Sequence, residues 1–339
     1  MKRLGVLTYH DSDNYGSVLQ AYALSHYINT HGGHCDVIDY RKPAVQVLYR
    51  IIKPVKSRHD LLMDLYNILY YGKLRQKKNR FEKFRKDYLP LSSKRYIHHG
   101  ELSGTEYDTY LVGSDQVWNT RIVDFDTAYM LDFTEKPKFA YAASFGAQKC
   151  EKETLDEYAP LLKQFDAISV REKNAVQSCQ EALGRNVDIV CDPVFLLSGD
   201  EWRKLERACE NVEENYVLCY FPGGVSQSMK KHSIAAAKRY NCNRILLVED
   251  WHDLLQNGTK GYQYGPQEFL YLINHATCVC TNSFHGTAFS LLFGKELILD
   301  EETTDERIQT IIGVLGKKPK PNIIDMYTQK SKEFLEQFI

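Results

Sequence analysis

Residues 281–286 read TNSFHG and place His285 at the start of a predicted helix. The apolar run 276–280 before this segment is typical of a buried strand, and the apolar residues after it suit a packed helix. Asn282 or Ser283 can cap that helix, which directs free backbone N–H groups and the positive helix end toward the surroundings of His285. Such a helix start binds anions. The alternative is a serine that only caps the helix and a histidine with a structural role.

Two polar segments follow predicted strands nearer the N-terminus. Residues 10–17 read HDSDNYGS and follow the predicted strand 4–9, and Gly16 lets the backbone approach a ligand closely at a helix start. Residues 113–119 read GSDQVWN and follow the predicted strand 109–112. The second segment combines a carboxylate, two amides and an aromatic ring, which suits a sugar or a proton transfer. The simpler interpretation is a turn in each case, with the second aspartate as a helix cap and the tryptophan in the core.

Arg171 follows a further predicted strand, 167–170. A guanidinium at a strand end suits a carboxylate or a phosphate, which it can bind through two parallel hydrogen bonds. The alternative is a salt bridge within the helix that is predicted to begin at Glu172.

Strands alternate with helices along the chain, which predicts an α/β fold. Predicted strands lie at 4–9, 35–40, 109–112, 138–143, 167–170, 187–191, 216–220, 244–248, 277–280 and 297–299. Predicted helices lie at 17–30, 226–240, 266–276, 283–293 and 332–338. Two α/β domains that face a cleft place their ligands at the carboxyl ends of the strands, which is where the polar segments lie.

The predicted domain boundaries follow this pattern. The first α/β domain is predicted to span 1–185 and to carry a basic, mainly helical insertion near 45–87. The second α/β domain is predicted at 186–320, and the C-terminal helix within 321–339 is expected to return to the first domain.

Composition indicates a soluble protein of about two domains. The chain has 339 residues, of which 43% are hydrophobic, and 43 Lys or Arg against 44 Asp or Glu. The sequence has no apolar run near the ~20 residues that span a bilayer and no signal-peptide core, so we expect a cytoplasmic protein. Its nine cysteines form no CxxC pair, so disulfides and a structural zinc are not expected.

Charge is concentrated between residues 41 and 100, where sixteen Lys or Arg stand against four acids. One interpretation is a solvated helical face. The other is attraction to anionic lipid headgroups, which would place the protein at the inner face of the membrane, or to an acidic glycan. Nucleic acid is not an expected partner, because this segment lacks the interleaved stacking aromatics of single-strand binders.

Five segments together resemble the polysaccharide pyruvyl transferase family, in the order of that family's blocks. They are 14–24 (NYGSVLQAYAL), 113–119 (GSDQVWN), 169–173 (SVREK), 192–195 (DPVF) and 283–286 (SFHG). The resemblance covers roughly residues 4–300 and implies two Rossmann-like domains in the GT-B glycosyltransferase arrangement. It also implies a reaction in which phosphoenolpyruvate gives its three-carbon unit to a sugar as a pyruvate ketal.

The resemblance implies roles for individual residues. His285 and Asp115 are the expected catalytic pair, and which of them is the acid and which the base stays open. The expected substrate-binding residues are Asn14, Gly16, Ser17, Gln116, Asn119, Arg171, Asn282, Ser283 and Gly286. Some family members have an arginine where this chain has Ser283, so either another cation replaces it, such as Lys173 or a basic residue of the insertion, or the donor pocket differs. No metal and no cofactor besides the donor are expected.

Two other functions are compatible with the same pattern. One is a nucleotide-sugar-dependent glycosyltransferase, which would bind a diphosphate at the second-domain helix start. The other is a non-catalytic glycan-binding protein. The partners expected from the family resemblance are phosphoenolpyruvate and a sugar or lipid-linked glycan acceptor.

Overall fold

Two parallel β-sheets form the framework of the protein. The computed structural model describes residues 2–52, 64, 66–122, 125–146, 150–210, 212, 214–247, 257–300 and 305–339. Within these residues the strands of the first sheet are β1 (Leu4–Leu7), β2 (Cys35–Tyr40), β3 (Leu91–Tyr96), β4 (Thr109–Val112), β5 (Lys138–Ala143), β6 (Ala167–Val170) and β7 (Asp188–Ile189). Their order is β3-β2-β1-β4-β5-β6-β7, with every pairing parallel.

The second sheet has five parallel strands in the described part of the chain. They are β8 (Tyr216–Tyr220), β9 (Asn243–Leu247), β10 (Thr259–Gly261), β11 (Cys278–Thr281) and β12 (Glu296–Leu299). Their order is β10-β9-β8-β11-β12. The central strands β1, β4, β8 and β11 are buried along their whole length, which explains their continuous apolar sequences. The predicted α/β class with two parallel-sheet domains is confirmed.

Helices cover the sheets. Those described are α1 (Tyr15–Thr30), α2 (Pro43–Leu48), α3 (Tyr71–Tyr88), α4 (Lys152–Leu162), α5 (Lys173–Leu183), α6 (Gly199–Arg203), α7 (Gln227–Arg239), α8 (Pro266–His275), α9 (Phe284–Leu292), α10 (Glu306–Leu315) and α11 (Pro321–Glu336). Thirteen of the sixteen residues of α1 are buried, so this helix is enclosed on nearly all sides. The reason is its position between the domains: the Tyr15 ring stacks on Phe269 of α8 at a centroid distance of 4.3 Å.

The first sheet extends beyond residue 185, where the sequence predicted the first domain to end. Strand β7 pairs with β6, with Ser169 opposite Asp188 and Val170 opposite Ile189. A two-residue edge strand has no periodicity from which its sheet could be assigned. The edge strand β3 was not predicted, because its sequence LSSKRY is polar, as suits a strand at the margin of a sheet.

The C-terminal helix α11 packs against the first domain. It is longer than the predicted 332–338, since it begins at Pro321. The Phe338 ring that follows it stacks on Phe139 of β5 at 3.9 Å, and Ser331 Oγ accepts a hydrogen bond from Cys191 N at 2.8 Å. Of the helices described, none is both long and apolar enough to cross a membrane.

The basic insertion is described in part. Its helices α2 and α3 agree with the predicted helical character, while residues 53–63 and 65 lie outside the described residues. Helix α3 connects the two domains, because Arg85 donates to Ser12 O of the first domain at 2.9 Å and Arg80 donates to Gln263 O of the second at 2.9 Å.

Candidate functional site

The first turns of α1 and α9 meet in the cleft between the two sheets. The ring of His285 lies against Gly16, where a Cβ would stand 1.9 Å from His285 Nδ1. Only glycine fits at this position. A glycine in the first turn of α1 and a histidine in the first turn of α9 therefore form one contact across the domain interface.

Both helices are capped by side chains. Asn14 Oδ1 accepts from Gly16 N at 2.9 Å and from Ser17 N at 3.3 Å, and Ser283 Oγ accepts from Gly286 N at 3.2 Å. Of the two predicted cap candidates at α9, Ser283 is the cap. Two positive helix ends thus meet at one point, which is a favourable place for an anion.

Asp115 lies next to these helix starts in an uncommon backbone conformation. Its φ is +74°, in the left-handed region that aspartate tolerates better than most residues. Ser17 Oγ donates to Asp115 Oδ2 at 2.5 Å, and the backbone N–H of Gln116 donates to Oδ1 at 2.9 Å. The carboxylate is therefore held in place by α1 and by its own turn.

Arg171 and Asp192 form a buried ion pair beneath the helix starts. Arg171 Nη1 donates to Asp192 Oδ2 at 2.5 Å, and Ser114 Oγ donates to the same oxygen at 3.0 Å. Burial opposes the charge of Asp192, but the neighbouring His285 and Arg171 outweigh it and hold the pKa of this carboxyl below its ordinary value. Within the described residues, Nε and Nη2 of Arg171 make no hydrogen bond, but they lie 3.7 Å from Glu172 Oε2 and 3.7 Å from Asp115 Oδ1, respectively.

Asp192 links Arg171 to His285. His285 Nε2 lies 3.7 Å from Asp192 Oδ2 and has no hydrogen-bond partner in the described part of the chain. Asp192 was not predicted as a site residue, although it begins the DPVF segment. Its position directly after a strand was the signal that could have indicated it.

Arg307 is a further cation at the site that the sequence did not indicate. The Phe284 ring lies near two guanidinium groups, with Cζ of Arg171 at 4.9 Å and Cζ of Arg307 at 5.9 Å from its centroid. Burial opposes the charge of Arg307, but its pairing with Asp305 and the charges of Glu172 and Asp115 raise its pKa. Nothing in the local sequence DER distinguishes Arg307 from an ordinary residue of a solvated helix start.

A cavity of about 340 Å³ opens beside Asp115 on the first-domain side. It is lined by Tyr9, Ser12, Asn14, Ser17, Leu48, Tyr49, Asp115, Gln116, Arg121 and Ile122. Four predicted site residues lie here: Asn14, Ser17, Asp115 and Gln116. Aromatic rings together with a few polar side chains are a typical lining for a small-molecule site.

Three other predicted site residues contact protein groups. Asn119 Nδ2 donates to Gln116 Oε1 at 2.7 Å, so Asn119 orients a cavity residue but is not part of the lining. Asn282 Nδ2 donates to Gly224 O at 2.7 Å, which ties the loop before α9 to the loop after β8. A Cβ on Gly286 would lie 2.6 Å from Thr281 Oγ1, so close packing requires this glycine.

A model of the polysaccharide pyruvyl transferase family matches residues 14–299. This match spans most of the chain. The chain belongs to the polysaccharide pyruvyl transferase family. A search of curated proteins finds no match to the sequence.

The chain resembles solved structures from which it differs widely in sequence. The UDP-GlcNAc 2-epimerase of Neisseria meningitidis, solved with UDP-GlcNAc, is 14% identical; the alignment covers 99% of this chain and 93% of the epimerase at a TM-score of 0.51. The UDP-GlcNAc 2-epimerase of Methanocaldococcus jannaschii is 12% identical, with 99% of each chain covered and a TM-score of 0.51. These similarities show a GT-B-type fold, and they show the fold alone.

In this pyruvyl transferase family member, Glu172 is a fully buried carboxyl behind Arg171. Its Oε1 accepts from Phe145 N at 3.1 Å, and its Oε2 lies 3.7 Å from Arg171 Nε. Burial raises the pKa of Glu172 to about 7, although Arg171 and the hydrogen bonds to the carboxylate act in the opposite direction. This carboxyl therefore changes charge near neutral pH within contact distance of the site.

We predict that Glu172 makes the stability of the protein depend on pH. The folded pKa of about 7 lies above the ordinary 4.5, so the stabilising effect of the bound proton is complete below pH 4.5 and is lost as the pH rises through 7. Glu172→Gln removes this dependence. We expect urea unfolding to show that the free energy of unfolding of the variant, relative to that of the wild type, is about 3 kcal/mol higher at pH 7.5 than at pH 4.5. A difference that stays constant with pH would contradict the assignment.

Proposed function

We propose that the protein transfers the pyruvyl unit of phosphoenolpyruvate to a sugar of a cell-surface polysaccharide or its precursor, as a ketal, with release of phosphate. The observation that carries this proposal is the contact of His285 with Gly16 where two capped helix starts meet. An anionic donor bound there lies between His285, the cations Arg171 and Arg307, and the carboxylate of Asp115. No cofactor besides the donor is proposed.

The charges of the site match those of the donor. Phosphoenolpyruvate carries a phosphate and a carboxylate, and the two helix starts offer N–H dipoles to such groups. Nε and Nη2 of Arg171 are buried and make no hydrogen bond among the described residues, and a charge-assisted hydrogen bond to the donor would be strong there. Arg307 supplies a second cation near the Phe284 ring, which offsets the neutral Ser283 in this chain.

The proposed reaction has two stages. One sugar hydroxyl forms a bond to the central carbon of the enolpyruvyl group, while a proton is delivered to the methylene carbon and converts it to a methyl group. The bond from the central carbon to the phosphate oxygen then breaks, and a second hydroxyl of the same sugar closes the ketal. The two hydroxyl protons are accounted for by the new methyl group and by the released phosphate.

Positions in the cleft suggest how the two catalytic residues divide the proton transfers. Asp115 lines the cavity, so we propose it as the base toward the sugar hydroxyl. His285 lies at the helix starts, so we propose it as the proton donor to the donor substrate. The charge that develops as phosphate leaves is stabilised by the surrounding cations and helix ends.

A nucleotide-sugar glycosyltransferase is the second candidate. The start of α9 in the second domain would also suit a diphosphate, and the GT-B-type fold is common to nucleotide-sugar enzymes such as the UDP-GlcNAc epimerases. A non-catalytic glycan-binding protein would use the same cavity without turnover.

Incubation with phosphoenolpyruvate and a panel of glycan acceptors tests the proposal. We expect an acceptor mass gain of one pyruvic acid less one water, together with an equal release of phosphate. Thermal melting separates the candidates, since phosphoenolpyruvate should raise the melting temperature. Stabilisation by a uridine diphosphate sugar, with no effect of phosphoenolpyruvate and no mass gain, would favour the second candidate and reject the first. Stabilisation by glycans alone would indicate a binding protein.

A further inference from the structure

Exposed apolar side chains cluster in the basic insertion. Of the eleven exposed large apolar side chains in the described residues, six lie between residues 47 and 71. They are Val47, Leu48, Ile52, Ile68, Leu69 and Tyr71. Leu69 is 75% exposed and Ile68 is 57% exposed, which is unusual for side chains of this size in one short stretch.

The fold holds these side chains outward. Tyr66 and Tyr70, one helical turn apart, pack inward as a cluster on Tyr262 of the second domain, where the Tyr70 ring stacks at 4.4 Å. This contact turns Ile68 and Leu69 away from the protein. Asn67 Nδ2 donates to Ile51 O at 2.7 Å, so the residues that follow α2 and those that precede α3 lie side by side.

Basic side chains lie at helical spacing from the exposed apolar ones, and the Nζ of Lys73 lies 5.6 Å from the centroid of the Tyr262 ring. Arg75 follows Ile68 and Tyr71 at positions i+7 and i+4, and Lys73 follows Leu69 at i+4. Tyr70 N donates to Tyr66 O and Leu74 N to Tyr70 O, both at 3.1 Å, although Tyr70 itself precedes α3 and has non-helical backbone angles, with φ −104° and ψ 14°. Lys73 and Arg75 are exposed, as is Arg50 next to Ile52. We call the exposed residues Leu48, Arg50, Ile52, Ile68, Leu69, Tyr71, Lys73 and Arg75 the basic apolar face.

The basic apolar face carries only part of the positive charge of the insertion, because other basic residues of the insertion pair with acids. Many of the sixteen basic residues of 41–100 are paired with acids elsewhere in the protein and contribute little to an external field. These pairs include Arg41–Asp39 at 2.6 Å, Arg85–Asp13 at 2.9 Å, Arg95–Asp39 at 3.0 Å, Lys42–Asp126 at 3.4 Å and Arg80–Glu268 at 3.4 Å. Asp64, the acid of the described residues between 42 and 81, is buried. Arg50, Lys73 and Arg75 are not among these pairs, and they are exposed in the same stretches as the apolar side chains.

We propose that the basic apolar face binds the surface of an anionic lipid bilayer. Exposed aliphatic and tyrosine side chains enter the boundary between headgroups and acyl chains, and lysine and arginine side chains bind anionic headgroups. A soluble acidic partner would need the cations but not the exposed leucine and isoleucine. A second copy of the chain would place like charges against each other.

The position of this face relative to the cavity supports the proposal. Leu48 belongs to the face and also lines the cavity beside Asp115. A sugar carried on a lipid at the bilayer surface would thus be within reach of the site, a link that rests on the proposed function. The bilayer contact itself does not depend on the reaction.

Vesicle co-sedimentation tests the proposal without any substrate. The wild-type protein should pellet with vesicles of mixed phosphatidylglycerol and phosphatidylcholine but not with phosphatidylcholine alone, and about 0.5 M salt should release most of it. The double variant Lys73→Glu/Arg75→Glu should lower the apparent affinity by at least about tenfold. The double variant Ile68→Ser/Leu69→Ser should lower it by about tenfold.

Matched control variants change charge or apolar exposure outside the basic apolar face, so they show whether an effect is specific to this face. Lys152→Glu/Lys163→Glu makes the same change of net charge on α4, and Met326→Ser removes an apolar side chain that is also 75% exposed. Both should bind vesicles like the wild type. Equal binding to both vesicle types, equal effects of face and control variants, or pelleting without vesicles would overturn the proposal; the last result would indicate self-association. Unchanged melting temperatures show that each variant is folded.

Discussion

His285→Ala is expected to reduce transfer by roughly two to four orders of magnitude, while leaving the fold intact. The imidazole is the titratable side chain in direct contact with α1 at the meeting of the helix starts, and Asp192 lies 3.7 Å from its Nε2. Removing it takes away the proposed proton donor. Since the buried Asp192 keeps its hydrogen bonds from Arg171 and Ser114, circular dichroism and the melting temperature should change little. Phosphate release from phosphoenolpyruvate with a glycan acceptor measures the loss.

Gly16→Ala tests the position of the imidazole and not its presence. The new methyl group would require the space of His285 Nδ1, so the ring must move away from the helix start. We expect a loss of transfer close to that of His285→Ala. Gly313→Ala is a matched control, because no atom lies within 4 Å of the added carbon and the residue is inside α10. If both His285→Ala and Gly16→Ala release phosphate at the wild-type rate, the catalytic assignment is wrong.

The strand, cap and helix around His285 could be predicted from local sequence. An apolar strand, a capping serine and an apolar helix are adjacent in the chain, and each has its own signal. The contact of His285 with Gly16 could not be predicted in this way, because the two residues are far apart in sequence and meet only when the domains pack. The same holds for Arg307, which reaches Phe284 through tertiary packing and has no local pattern of its own.

In the fold, too, features with a local sequence pattern could be predicted, and features that depend on contacts between distant segments could not. The alternation of strands and helices indicated two parallel α/β domains, because buried parallel strands have continuous apolar sequences. The edge strand β3 was not predicted, because its sequence is polar. The edge strand β7 was assigned to the second domain, because a strand of two residues has no signal that shows its sheet. The charge of the basic insertion was visible in the sequence, but its partial neutralisation by acids such as Asp13 and Glu268 depends on contacts between distant segments.

Asp115→Ala is expected to abolish transfer, and Asp115→Asn gives the sharper test of the same prediction. Alanine at a φ of +74° costs about 1 kcal/mol of stability, whereas asparagine tolerates the left-handed region and keeps the shape of the side chain. Asparagine also retains an oxygen to accept from Ser17 or from the backbone N–H of Gln116, so the turn is preserved. It cannot act as a base at neutral pH. We expect kcat to fall by roughly two to four orders of magnitude with little change in melting temperature.

Ser17→Ala is the control that separates the carboxylate from its position. This variant removes the hydrogen bond to Asp115 Oδ2 and leaves the carboxylate and its bond to the Gln116 N–H in place. We expect a smaller loss of activity than for Asp115→Asn, on the order of tenfold, in line with the loss of one charge-assisted hydrogen bond. Binding of phosphoenolpyruvate, measured by thermal stabilisation, should persist in both variants, because Asp115 is proposed to act on the sugar. A donor affinity that rises sharply in Asp115→Asn, with transfer retained, would show that this carboxylate repels the donor and is not the base.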